Sequence, residues 1–300
     1  MGIVMELRHL RYFMAVAAAR NFTRAANQLG MAQPPLSRQI LELEQELGAN
    51  LFERKSRPIA LTDAGRLLLD LAHDTLNSVD RLKHAMRRYK ENGRQRFVIG
   101  FVGSTIYGPV PTMLRSFRAL APELDIDLVE MNTLAQMKAL KDGSVDAGIG
   151  RLIFEDSAIE RQVLELEPLV VALPTDHPLA PDRSSVSILE LLEDTLIVYP
   201  SEPRPSYADQ ILGLFRQYAA TPQHIREVRE LQTALGLVVA RAGISIVPNA
   251  VRRLRRDDIA YRPISEPDAV SPIILSWRAS DASPALNLLR SVWRDIDVSA

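Results

Sequence analysis

The chain has 300 residues, 47% of them hydrophobic and 24% charged, with a net charge of −1 and no cysteine. This is an ordinary globular composition with room for two or three buried cores, which excludes fibrous and disordered classes; the missing cysteines exclude a disulfide framework, a thiolate metal site and a cysteine nucleophile. The charge is uneven: 14 Lys and Arg stand against 10 Asp and Glu up to residue 93, and 22 against 27 beyond it, so a basic head joins an acidic body and only the head suits a polyanion.

The N-terminal residues reach Arg8 before a secretory apolar core can form, and no run approaches the roughly 18 apolar residues of a membrane span. A cytoplasmic chain without membrane contact is expected. Met1 to Val4 carry no pattern, which makes Met5 a candidate start. Leu7, Leu10, Phe13, Met14 and Ala17 mark the apolar face of a first helix. Thr23 is then placed to cap a short second helix holding Ala25, Ala26 and Leu29, with Gly30 as its stop. A third helix opens at Gln33 to Pro35, because proline is tolerated in a first turn, and continues through Leu36, Ile40, Leu43 and Leu47. Two helices about a short turn predict a helix-turn-helix. In the next segment, Gly48 to Leu61, two short apolar runs flank a basic tip with Arg54, Lys55 and Arg57, the pattern of a two-stranded wing.

From Thr62 and Asp63, which cap it, one long helix runs to about Asn92 and Gly93. Its seam is Leu68, Ala72, Thr75, Val79, Leu82, Met86 and Tyr89, at steps of four and three. The simplest partner for such a seam is the same helix of a second chain; the plainer reading is a helix lying on its own domain.

The remainder alternates strands and helices. Strands are expected at Phe97 to Val102, Asp125 to Glu130 and Val145 to Gly150, with helices around Leu114 to Leu120 and from Thr133 to Lys141. A second unit begins at Pro168. It continues through a helix near Ile188, a strand at Thr195 to Tyr199, a helix from Tyr207 to Tyr218 capped by Ser206 with Asp209, a strand at Ile225 to Val228, a helix from Leu231 to Arg241 and a strand ending at Pro248. Ile273 to Trp277 and a helix from Pro284 to Ile296 return to the first unit. Two lobes joined by two crossings leave a cleft. Ser104 and Thr105 at one strand end, Thr133 at another, and Ser206 and Tyr207 from the second lobe offer hydroxyls beside helix-start N–H groups, where α/β sheets bind anions. Each is also explained as a cap; their grouping suits a small acid with two carboxylates. Arg151 and Glu230 either line the same gap or pair across it.

Phosphate-loop, nucleophile-elbow and H-E-x-x-H motifs are absent. The five histidines are scattered, and Gly148-Ile149-Gly150 lacks the third glycine of a dinucleotide fingerprint. No enzyme activity, cofactor or metal is therefore expected. The alternatives are a cytosolic two-lobed α/β enzyme, for which no acid/base pair is identifiable, and a solute-binding protein, against which the first ninety residues count.

The segments Met5 to Phe13, Ala32 to Ile40, Leu47-Gly48, Leu51 to Arg54 and Leu61 to Gly65 together resemble, without gaps over about sixty residues, the head of a LysR-type transcriptional regulator. Gly103 to Gly108, Arg229 to Leu237 and Ile244 to Pro248 are further similar to the subgroup that governs catechol and benzoate breakdown and answers to cis,cis-muconate or its relatives. The resemblance implies an α+β, multidomain plan. It comprises an N-terminal winged helix-turn-helix (1–62), a long linker and dimerisation helix (63–93), and a two-lobed α/β effector domain of periplasmic-binding-protein type (94–300; lobe I 94–166 and 269–300, lobe II 167–268). It also implies that Ser104, Thr133 and the Pro205-Ser206-Tyr207 turn hold the effector. The sequence departs at Gly103, where relatives often carry a second hydroxyl, and at Ser206-Tyr207, where Asn-Phe occurs.

On double-stranded DNA, Gln33, Ser37 and Arg38 are expected at base edges, where Gln suits adenine and Arg guanine, and Pro34 and Pro35 at thymine methyls. Thr23, Arg54 and Arg57 fall to phosphates or the minor groove. The resulting expectation is a homodimer through the linker helix, or a homotetramer, that binds a promoter dyad and activates a degradation operon on capturing a small carboxylate. RNA polymerase is a candidate further partner.

Overall fold

The computed structural model describes residues 5–53, 56–92, 95–181 and 184–294 of the chain, which divide into two compact units, Met1–Arg87 and Arg88–Ala300. In the first unit, α1 (Leu7–Ala19), α2 (Phe22–Gln28) and α3 (Gln33–Leu47) precede a hairpin of β1 (Phe52–Glu53) and β2 (Ala60–Leu61), and α4 (Asp63–Asn92) follows. Their core is Leu10, Phe13, Val16, Leu36, Ile40 and Leu43 with the small Ala25 and Ala26, which let α2 approach its neighbours closely. The Phe52 ring at the wing packs against Phe13 and Phe22 at 5.3 and 5.7 Å.

Local chemistry sets the boundaries. The cap of α2 is Asn21, whose side chain accepts from Arg24 N; Thr23 lies inside the helix, exposed, which corrects the sequence expectation. A β-region Asn satisfies an orphan N–H two residues before Thr23 could do so. Thr62 does cap α4, accepting from Gly65 N at 3.0 Å while donating to Asn50 O. A Cβ at Gly65 would stand 2.1 Å from the Leu51 carbonyl oxygen, so only glycine lets α4 pass this close to the wing.

The seam of α4 is divided. Ala72 is buried and Leu68 half-buried against the core of their own unit, joined by Leu69 and Leu76. Further along the same seam Leu82 and Met86 are 65% and 60% exposed, and beside its start Leu67 and Leu71 are 64% and 54% exposed. The expected seam is therefore divided along its length, its start packed within the head and its Leu82 and Met86 end exposed; Tyr89 lies outside the residues whose side chains are described.

The second unit contains β3 (Arg96–Phe101), α5 (Val110–Leu120), β4 (Asp125–Glu130), α6 (Thr133–Asp142), β5 (Ala147–Gly150), β6 (Ile159–Pro174), β7 (Thr195–Val198), α7 (Tyr207–Gln217), β8 (His224–Glu227), α8 (Leu231–Val239), β9 (Ser245–Pro248), β10 (Ile259–Pro263), β11 (Val270–Arg278) and α9 (Pro284–Arg294). The large sheet runs β10-β6-β11-β5-β3-β4, with β9 also on β6, while β7 and β8 pair in parallel and touch β9's approach at a Leu196–Ile244 bridge. β5, β3 and β4 are parallel, but β11 and β6 are antiparallel to their neighbours, so the sheet is mixed.

β6 begins at Ile159, nine residues before the expected start at Pro168. Its Glu-Leu-Glu alternation through 165–167 has one face in solvent and lacks the continuous apolar run of a buried strand. Residues 159–168 pair with β11, and 170–174 with β10, so one strand serves both lobes. Phe97, Ile99, Phe117 and Ile149 form the lobe I core with Trp277 and Trp293, the return of the C-terminal segment that the sequence pattern anticipates. Leu169 to Leu173, Leu196 to Val198, Phe215, Leu235 and Val247 form the core of lobe II.

Candidate functional site

Two regions carry chemistry, one in each unit. In the head, burial of Leu36, Ile40 and Leu43 turns the opposite face of α3 outward. Gln33, Pro34, Pro35 and Arg38 are exposed there, with Ser37 half-buried. Gln33 Nε2 donates to Ser37 Oγ at 2.7 Å, which holds the amide over the helix start. Arg38 Nε donates to Glu42 at 3.0 Å, with the Arg38 side chain 81% exposed; an exposed i,i+4 pair is worth about 0.5 kcal/mol and leaves the guanidinium available. Arg57 is exposed on the wing, while Arg54 lies outside the described residues. Behind this face, Glu44 is buried on α3, and its Oε1 accepts from Leu51 N at 2.8 Å and Phe52 N at 3.3 Å. That carboxylate ties the wing to α3. Nothing in an E-L-E-Q-E run distinguishes it beforehand, because burial of one Glu among three depends on the returning wing.

In the second unit a cleft of about 470 Å³ opens between the lobes. Gly103, Ser104, Thr133, Arg151, Pro205, Ser206, Tyr207 and Glu230 all line it. Thr105 does not: it is fully buried, and its hydroxyl donates to Val102 O at 2.7 Å, closing the turn that carries Ser104. Thr133 opens α6 behind the Asn132 cap, and a Cβ at Gly150 would stand 2.9 Å from the Thr133 side chain. The glycine therefore seats the start of α6 on the end of β5, and the Gly148-Ile149-Gly150 run is backbone geometry. Ser206 is buried; its hydroxyl donates to Pro200 O at 2.8 Å and accepts from Ala208 N, so this turn presents the cleft with backbone and with the Tyr207 ring.

Arg151 organises the floor. Its Nε donates to Ser104 Oγ at 2.8 Å and its Nη2 to Ser104 O at 3.3 Å and to Glu167 Oε2 at 2.7 Å, with both partners of the ion pair buried. Glu167 Oε1 accepts from Ala250 N at 2.6 Å. Of the two alternatives for Arg151 and Glu230, both line the gap and, among the described residues, no pair joins them: Glu230 stands exposed at the start of α8, and Glu167, absent from the sequence-derived set, takes the guanidinium. A buried cation requires a buried counter-charge, and β6 supplies it from the next strand but one. Glu130, Glu202 and Glu230 line the cleft too, all three exposed and water-screened, while Arg151 at the floor is paired with Glu167 and the N-termini of α6 and α7 add partial positive charge beside it. Tyr107 OH accepts from Gln232 Nε2 at 3.2 Å across the mouth. Burial raises the ionisation of Tyr199 and Tyr207 far above the ordinary phenol range, so both are neutral donors. Among the described residues no cluster of His, Asp or Glu could hold a metal, and no helix is long and apolar enough to cross a membrane.

Comparison with known proteins matches both units. Residues 7–66 match the bacterial regulatory helix-turn-helix of the lysR family, and residues 90–295 match the LysR substrate binding domain. The chain is 46% identical over 292 residues to a probable cat1 operon transcriptional activator of Acinetobacter lwoffii, covering 97% of this chain and 96% of that one. It is similar to the effector binding domain of BenM with its effector benzoate, at 38% identity and a TM-score of 0.65, over 67% of this chain and 90% of that one. Full-length CbnR complexed with its target DNA is 32% identical with a TM-score of 0.62, over 97% and 99% of the two chains.

Proposed function

Because the chain belongs to the LysR family of bacterial transcriptional regulators, we propose that it is a cytoplasmic activator of an aromatic-degradation operon, binding a promoter dyad and answering to a short carboxylate such as cis,cis-muconate. The observation that carries the effector reading is the buried Arg151, with Ser104 and two helix N-termini around it, at the floor of a cleft of this size. An activator of the cat1 operon among the relatives supports the degradative setting, and the BenM domain with benzoate supports an aromatic-pathway acid. The head is assigned to residues 1–62, the linker to 63–93 and the effector domain to 94–300, with lobe I at 94–166 and 269–300 and lobe II at 167–268.

Gln33, Ser37 and Arg38 read bases, Pro34 and Pro35 meet thymine methyls, and Thr23, Arg54 and Arg57 position the head on the backbone; the outward face of α3 supports this division. The exposed stripe on α4 supports a homodimer, two of which make a tetramer, with RNA polymerase as the further partner at the promoter. The effector acts by binding one lobe arrangement better than the other. Footprinting at fixed salt tests the reading: wild type protects a dyad whose pattern changes with muconate, and Arg38→Ala loses about 1–3 kcal/mol of affinity for it. Protection without dyad symmetry, or an unchanged Arg38→Ala affinity, would refute it.

A further inference from the structure

Among the described residues, two donors beside the cleft floor have no acceptor. Arg151 uses Nε and Nη2, but its Nη1 is buried without a partner; the Tyr199 hydroxyl is likewise buried and unpaired. Both residues line the cleft and both are at least nine-tenths buried. They come from opposite lobes, Arg151 from the end of β5 and Tyr199 from the end of β7. The neighbouring Tyr207, whose ring lies 5.3 Å from that of Tyr199, does have an acceptor, the Ile246 carbonyl at 3.4 Å. Burial is the main influence on the Tyr199 phenol, and the Arg151 charge is the next, which brings the two groups within electrostatic reach. A buried donor without an acceptor is destabilising, so two of them lining one cleft from two lobes mark a demand that an occupant meets.

We propose that Tyr199 is an effector-binding and specificity-determining residue: its hydroxyl and Arg151 Nη1 together clamp one carboxylate of a short dicarboxylate, one donor from each lobe. This rests on the carboxylate reading of the cleft and adds the residue that couples ligand to lobe setting. Both donors are buried as the lobes stand, so the acid enters with the lobes apart and is bridged as they close. Ligand affinity then depends on lobe setting, which is what a transmitted signal requires. A neutral phenol and a cation together match a carboxylate, with one donor to each oxygen, and disfavour an amide at that end, whose NH2 would meet a donor.

Calorimetry and thermal melting of full-length wild type and Tyr199→Phe, with cis,cis-muconate as the probe, test this. Removing an unpaired hydroxyl leaves the ligand-free melting temperature unchanged or raised, while muconate binding weakens about tenfold or more. Equal muconate affinity in the two proteins would overturn the proposal and assign the orphaned donors to water. A lowered ligand-free melting temperature would overturn it too, by showing that the hydroxyl has a partner within the protein. Wild type that binds no muconate, benzoate or related acid would instead overturn the carboxylate reading itself, and the role of Tyr199 with it.

Discussion

Glu44 shows how a single buried carboxylate fixes the approach of the wing to α3. It sits on α3, whose other face carries Gln33 and Arg38, and it holds the amides of Leu51 and Phe52 as the chain enters the wing. Replacing it with alanine strands those amides in a closed core, at a cost of about 1–3 kcal/mol. Urea unfolding of Glu44→Ala is expected to show that loss, with Glu44→Gln recovering part of it because an amide oxygen still accepts. Equal stability of all three proteins would mean that the wing needs no such tie. Arg151 and Glu167 are the corresponding pair in the second unit. There the residue types are legible, Arg after a strand and Glu in an alternating run, but the pairing is not, since it joins β5 to a strand that the pattern begins nine residues late.

Among the elements, α7 is the one whose start is most fully written into its own residues. Ser206 and Asp209 form a reciprocal capping box, and Arg204 adds an ion pair to Asp209 at 2.8 Å. Burial alone would raise the Asp209 carboxyl, but the hydrogen bonds from Ser206 and Arg204 outweigh it and hold the group below its ordinary value of 3.8. A folded value below the unfolded one means that the charged carboxylate stabilises the fold above pH 3.8, and that this contribution disappears as the pH falls through the lower folded value. Asp209→Asn is therefore expected to melt about 2 °C below wild type at neutral pH, a small effect because the pair is partly exposed, with the gap closing in strong acid. A gap that persists at all pH values would assign the loss to packing instead of charge. The same box orients Tyr207 into the cleft, so helix capping and ligand geometry share residues here.

At the scale of the whole molecule, α4 is where we propose that copies of the chain meet. Leu68, Ala72 and Leu76 pack in the head, whereas Leu82 and Met86 further along the same seam, and Leu67 and Leu71 beside its start, stand in solvent. Four large apolar side chains on one exposed stripe of a 30-residue helix favour a second copy of that helix. Leu82→Glu combined with Met86→Glu is expected to shift sedimentation from dimer or tetramer to monomer at micromolar concentration. Melting of the monomer should change little, because neither side chain packs in its own core. An unchanged assembly would place the interface elsewhere.

Much of this protein is determined locally. Caps, prolines in a first turn, a basic hairpin tip and strand-helix alternation depend on neighbours in sequence, so the winged helix-turn-helix, the long helix and the two-lobed plan are legible in residue order alone. So are most cleft residues, since strand ends and helix starts in α/β sheets face ligand clefts. Short-range competition was harder to read: Asn21, not Thr23, caps α2, and Thr105 closes a turn instead of facing the cleft. What the tertiary structure decided are the matters that burial decides: that Glu167 and not Glu230 neutralises Arg151, that α4 buries the start of its apolar seam and leaves the rest in solvent, and that Tyr199 keeps a hydroxyl without an acceptor among the described residues. Desolvation sets the cost of each, and desolvation is known only when distant segments have closed around the group.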